Sequence, residues 1–235
     1  KETKGEYDHL LLTLNPPITN KNNHSPKREI IFIQDISGSM SGEPIKQSKI
    51  GLEMAIKRLM PNDKFNIVLF NDRYSSYAQT PVLATAKERD KAIRYVRRLS
   101  AENGTDMYPA LSFSLNNFRS NKSVLKQLIF LTDGAVTEET KLFSLINSKL
   151  KTSRLFTIGI GSAPNSFFMT RAAEIGRGSH IHIGDMSEIS VRMEELFNKI
   201  ENPAITDLEL KLPKGFRAEV YPNPLPDLYV GDPLS

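Results

Sequence analysis

Four short runs, residues 30–33, 65–70, 128–131 and 155–160, are almost continuously apolar. A strand with one wet face alternates apolar and polar residues, so a run apolar at nearly every position has to be buried on both faces. Between the runs, apolar residues recur with the three-to-four spacing of amphipathic helices. Ser41-Gly42-Glu43-Pro44 is a helix start, with proline tolerated in the first turn. Ile45, Leu52, Ile56 and Leu59 then share one face, and Pro61 ends the helix. Helical periodicity returns over 87–99, 109–118, 138–150, 166–175 and 187–200. Such alternation predicts a parallel sheet covered by helices on both faces. Residues 77–83 make the poorest strand, with Pro81 inside it, and belong at an edge.

The flanks differ. Residues 7–14 form a short apolar-rich segment ended by Pro16-Pro17, a strand isolated from the α/β alternation. Residues 15–27 are polar and read as a linker. Beyond Glu201 lie six of the 14 prolines, with alternating segments at 208–212 and 218–221 that read as β-structure. The expected organisation is a strand and linker over 1–28, an α/β domain over 29–200, and a β-rich segment over 201–235. A start at Lys1 and an abrupt stop at Ser235 read as a piece of a longer protein.

Composition excludes several classes. With no cysteine among 235 residues, thiolate chemistry and Cys-based zinc sites are ruled out, and the compartment stays open. A net charge of +4 is mildly basic. Arg94, Arg97 and Arg98 cluster at helical spacing without interleaved aromatics, which reads as a solvated helix face and gives no support to nucleic-acid binding. No apolar run approaches the roughly 20 residues of a membrane span, so any membrane association would come through segments outside this chain.

The chemistry lies where the first apolar run ends. Asp35-Ile36-Ser37-Gly38-Ser39 places one carboxylate and two hydroxyls at alternating positions in the turn leaving a buried strand. These are hard oxygen ligands suited to Mg²⁺, which takes about six oxygens at roughly 2.0–2.1 Å. Thr105 follows Asn103-Gly104 at a helix start, and Asp133 follows the run 128–131 in Leu131-Thr132-Asp133-Gly134. Both aspartates leave the carboxyl ends of buried strands, where open α/β sheets place their binding crevice. A cation held mainly by neutral hydroxyls stays electron-poor and attracts a carboxylate from another molecule.

Asp, Ser and Gly are ordinary turn residues, so Asp-x-Ser-x-Ser alone is weak. Asp106 is better read as a helix cap than as a ligand. His180 and His182 share one strand face, but no third zinc ligand accompanies them. Gly159-Ile160-Gly161 lacks the third glycine and downstream acid of a dinucleotide site. Asn103-Gly104-Thr105 fits a glycosylation pattern, yet the metal explains Thr105 better. No lysine-bearing glycine loop and no Gly-x-Ser-x-Gly elbow occur, so no catalytic residue is named and the chain reads as a non-enzyme.

The Asp-x-Ser-x-Ser loop, the later Gly104-Thr105 and Thr132-Asp133-Gly134, in that order, resemble the von Willebrand factor A domain across residues 29–200. The resemblance implies an α/β fold: a doubly wound, Rossmann-like, mostly parallel six-stranded sheet with one antiparallel edge strand and helices on both faces. The flanking segments, read from their own residues, add a small β-rich appendage from both termini. It implies a complete metal-ion-dependent adhesion site. Ser37, Ser39 and Thr105 would bind Mg²⁺, or Mn²⁺ or Ca²⁺ in its place, while Asp35 and Asp133 supply charge and orient ligands or water. The partner would be a protein presenting Asp or Glu. Tyr7-Asp8-His9-Leu10-Leu11-Leu12-Thr13-Leu14-Asn15-Pro16-Pro17 and Gly159-Ile160-Gly161-Ser162-Ala163-Pro164-Asn165 resemble bacterial relatives of the inter-α-trypsin inhibitor heavy chains. In those relatives a β-rich VIT domain, absent from this sequence, precedes the A domain, and many of the bacterial ones are exported or surface-anchored, so the resemblance implies a secreted or cell-surface-anchored protein. Two other functions stay open: a structural assembly element of a larger surface protein, and a Mg²⁺-dependent hydrolase. Loops near 71–76 and Tyr108 would form the rim that selects the partner.

Overall fold

The computed structural model describes residues 2–4, 7–16, 27–118, 124–134, 136, 138–161, 165–201, 203–215 and 217–229. Most of the expected linker over 15–27 lies outside the described residues, as do Ser162, Ala163 and Pro164. The chain divides into two compact units, Lys1–Ser25 with Asn198–Ser235, and Pro26–Phe197.

In the first unit, β1 (Glu2–Lys4) and β2 (Tyr7–His9) pair antiparallel. The strand expected over 7–14 thus stops at His9, and Leu10, Leu11 and Leu12 are exposed.

The second unit carries the sheet. Its members are β3 (Arg28–Asp35), β4 (Lys64–Phe70), β5 (Tyr74–Ser76), β6 (Val82–Leu83), β7 (Leu125–Thr132), β8 (Arg154–Ile160) and β9 (Arg177–Ile183). The order is β5-β4-β3-β7-β8-β9, with β6 also on β4. β4, β3, β7, β8 and β9 run parallel, while β5 and β6 are antiparallel to β4. The sheet therefore has seven strands, not six. The single edge strand expected over 77–83 is replaced by two short pieces on either side of Tyr77–Pro81, because proline at 81 offers no N–H to the ladder.

Helices α1 (Glu43–Arg58), α2 (Ala86–Arg97), α3 (Met107–Asn117), α4 (Glu139–Lys149), α5 (Ser166–Ile175) and α6 (Ile189–Glu201) alternate with the strands, α6 following a short 3₁₀ turn. On one sheet face Ile31, Ile33, Val68, Phe70, Leu128 and Phe130 pack against apolar residues of α3, α4 and α5. On the other, Gln34 of β3 bonds Ser48 of α1, and Met193 of α6 reaches Gly51 of α1. Burial on both faces is what the continuous apolar runs require, since each fully buried large aliphatic contributes about 1.5–3 kcal/mol. No helix among the described residues is long and apolar enough to cross a membrane.

The final strands, β10 (Pro203–Ile205) and β11 (Leu228–Tyr229), pair antiparallel in the first unit. The alternating segments 208–212 and 218–221 are not in strands. Prolines at 213, 222, 224 and 226 interrupt the run of donors that a longer ladder needs.

Candidate metal centre

Asp35 is the last residue of β3 and is fully buried. Its Oδ1 accepts the Ser37 N–H at 2.7 Å, and its Oδ2 accepts the Thr132 hydroxyl at 2.5 Å. No lysine, arginine or histidine pairs with it among the described residues. Burial pushes its carboxyl above the usual carboxylate range. The Thr132 and Ser37 bonds oppose the rise, and the nearby negative charge of Asp133 adds to it.

Ser37 precedes the 3₁₀ turn Gly38–Met40, whose fully buried Met40 roots the loop in the core. That turn brings the Ser37 and Ser39 hydroxyls to 3.0 Å from each other. Ser37 is buried and Ser39 exposed, so the pair spans the boundary between protein and solvent.

The second loop is tethered on both sides of Thr105, to the first loop on one side and to the residue after β4 on the other. The Glu102 N–H donates to the Ile36 carbonyl at 2.7 Å, and the Asp106 N–H donates to the Asn71 carbonyl at 2.6 Å. Gly104 has φ +92°, and a Cβ there would come within 2.5 Å of Asp72 Cβ. Only glycine fits that close approach. Asp106 caps α3, accepting the Tyr108 N–H at 3.2 Å, as its position predicts.

The third loop leaves β7. Thr132 donates to Asp35 and accepts the Gly134 N–H at 3.0 Å, which leaves half-buried Asp133 between two fixed neighbours. Asp35, Ser37 and Ser39 are thus joined by direct hydrogen bonds or contact, Asp133 lies within electrostatic reach, and Thr105 sits on a loop tied to theirs.

Three contributors escape sequence reasoning. Thr132 holds one carboxylate oxygen of Asp35. Gln34 donates to the Asp35 carbonyl at 2.6 Å and to Ser48 Oγ at 3.0 Å, fastening the strand exit to α1. Asn71, expected on the rim, is buried; its amide donates to Glu102 Oε2 at 2.9 Å and its carbonyl holds Asp106. The exposed rim begins one residue later, at Asp72. The only signal for these three is position, at or beside the carboxyl ends of β3, β4 and β7.

His180 and His182 take ordinary partners: Nδ1 of His180 is 3.0 Å from Thr157 Oγ1, and Nε2 of His182 is 2.7 Å from the Gly161 carbonyl. Among the described residues no three His, Cys, Asp or Glu side chains converge as metal ligands. The hydroxyl-rich set around Asp35 offers oxygen donors alone, which fits a hard divalent cation.

Residues 28–180 match the von Willebrand factor type A domain family. A von Willebrand factor A domain-containing protein of Dictyostelium discoideum is 30% identical over 185 residues, 78% of this chain and 20% of that protein. Inter alpha-trypsin inhibitor heavy chain 4 of Mus musculus is 28% identical over 229 residues, 92% of this chain and 24% of the relative. The chain therefore spans about a fifth to a quarter of these relatives' length. Among solved structures, von Willebrand factor type A from Catenulispora acidiphila aligns with a TM-score of 0.68 at 25% identity, covering 77% of this chain and 44% of that one. Proximal thread matrix protein 1 from the mussel byssus, with a zinc-occupied MIDAS motif, aligns with a TM-score of 0.57 at 18% identity, covering 74% and 48%, a likeness of fold. The sheet order, the loops at its carboxyl edge and the matched segment together place this chain in the von Willebrand factor type A domain family.

Proposed function

We propose that this chain is a metal-ion-dependent adhesion module, with no catalytic step of its own. Ser37, Ser39 and Thr105 would hold Mg²⁺, and Asp35 and Asp133 would supply charge and orient ligands. Bound there, the ion offers an electrophile to an Asp or Glu side chain of a partner protein. The observation that carries this reading is Asp35: a fully buried carboxylate whose hydrogen-bond partners are all neutral donors. Uncompensated burial of such a charge costs several kcal/mol, and a dication beside it offsets that cost. The oxygen-only donor set favours Mg²⁺ or Mn²⁺ over the zinc named for the mussel protein. Location outside the cytoplasm belongs to the same proposal, supported by the similarity to inter-α-trypsin inhibitor heavy chains. So does an organisation in which both termini form an appendage to the A domain.

Calorimetric titration of the chelator-treated protein with Mg²⁺ and Mn²⁺ tests the site. Wild type should bind one ion and Asp35→Ala should bind none. Equal binding by both proteins removes the assignment.

A further inference from the structure

Beside the first metal loop lies a cleft of about 680 Å³, within the size range of sites that enclose a ligand. Ile36, between Asp35 and Ser37, and Asn103, two residues before Thr105, both line it. The cleft and the candidate ion site therefore share a wall. Buried Leu69 and half-buried Leu99 and Tyr95 give it apolar surface.

Four charged residues line the cleft, Asp72, Arg73, Arg98 and Glu102. Arg73 Nε is 3.4 Å from Asp72 Oδ1, and Glu102 Oε2 accepts from the neutral Asn71 amide at 2.9 Å. Arg98 has no acidic partner among the described residues. Its neighbour Arg97 is differently employed, gripping Glu53 through two bonds of 2.9 and 3.0 Å. The cluster that reads in sequence as one solvated face is thus divided, with Arg97 paired within the molecule and Arg98 lining the cleft. A free guanidinium is a planar fork that matches a carboxylate.

Resting on the metal-capture reading above, we infer that the cleft is a second half of the ligand site. It seats the chain that flanks the metal-bound acidic residue, and Arg98 takes a second carboxylate from the same peptide. The ligand class is an extended peptide with two acidic side chains and apolar residues between or beside them. Position at the C-terminal end of α2 gives Arg98 a local role as well, since a cation there favours the helix dipole. That role makes no distinction between peptides.

The test is an NMR titration of the full chain in Mg²⁺ with capped peptides. One carries a single Asp; the others add a second Asp one to five residues away on either side. At one spacing the double-Asp peptide should bind roughly fivefold tighter, the scale of one exposed ion pair. The Arg98 Nε–Hε resonance, assigned by its absence in Arg98→Gln, should move with that peptide and not with the single-Asp peptide. Arg98→Gln should bring the two affinities together. Mg²⁺-dependent binding with no spacing preferred, or a preference that survives Arg98→Gln, or a still Arg98 resonance, overturns the cleft and leaves metal capture standing. Binding of every peptide unchanged by chelation, or absent altogether, overturns metal capture and the cleft with it.

Discussion

Asp35 carries a charge where desolvation opposes one, and its hydrogen bonds decide how tolerable that is. Thr132 supplies the shorter of the two bonds to the carboxylate, from 97 residues away in sequence. Thr132→Val keeps the shape and removes the donor, so the protein should lose about 1–3 kcal/mol of stability, read by urea unfolding at neutral pH. An unchanged midpoint would mean that Asp35 does not depend on this bond. Gly104 is constrained differently, by backbone rather than charge. A methyl there would collide with Asp72 and strain a positive φ. Gly104→Ala should cost more than about 1 kcal/mol and weaken Mg²⁺ binding, because Thr105 follows directly. Calorimetry on the variant checks both effects.

Elements are held in register by contacts away from the candidate site. At the opposite end of β3, Arg28 grips Asp63 through bonds of 3.1 and 2.5 Å, both side chains almost fully buried. Asp63 also accepts the Met60 N–H at 2.8 Å, so the pair ties the start of β3 to the turn before β4. Arg28→Ala should cost about 3–5 kcal/mol by leaving a buried charge unpaired, whereas an Arg28→Met, Asp63→Leu double variant should recover much of that. Denaturant unfolding of the three proteins distinguishes a broken pair from a merely polar one. On β9, burial lowers the pKa of His180, the Thr157 hydrogen bond opposes the fall, and the charge of His182 reinforces it. A histidine whose folded pKa is depressed favours folding above its unfolded value near 6.5 and opposes it as pH drops below that. Stability should therefore decline on acidification from pH 6.5, and His180→Gln should flatten that part of the profile.

At the scale of the molecule, metal binding and folding are linked. A ligand confined to the native state at 100 times its Kd stabilises by about 2.7 kcal/mol. For a chain of 235 residues that corresponds to a rise of roughly 5–10 °C in Tm. Two compact units also mean that one melting transition is not assured. In scanning calorimetry, Mg²⁺ should raise the transition of the Pro26–Phe197 unit, and chelation should reverse the rise. A rise confined to the other unit would place the ion elsewhere.

The division between sequence and structure follows the range of the forces involved. Burial on both faces leaves a local trace, so β3, β4, β7 and β8 coincide with the four apolar runs, and α5 lies where periodicity puts it. Capping is local too, which is why Asp106 is recognisable as the cap of α3. The Asp, Ser and Thr positions stand out by their order and spacing along the chain, since each alone is an ordinary turn residue. Edge strands are different: β5, β6 and the short strands near the termini depend on which neighbour offers a ladder, and alternation misplaced them. The clamps made by Gln34, Asn71 and Thr132 depend on partners 14, 31 and 97 residues away. No periodicity encodes those pairings; only folding the sheet brings the three loops to one edge and gives each polar side chain its partner.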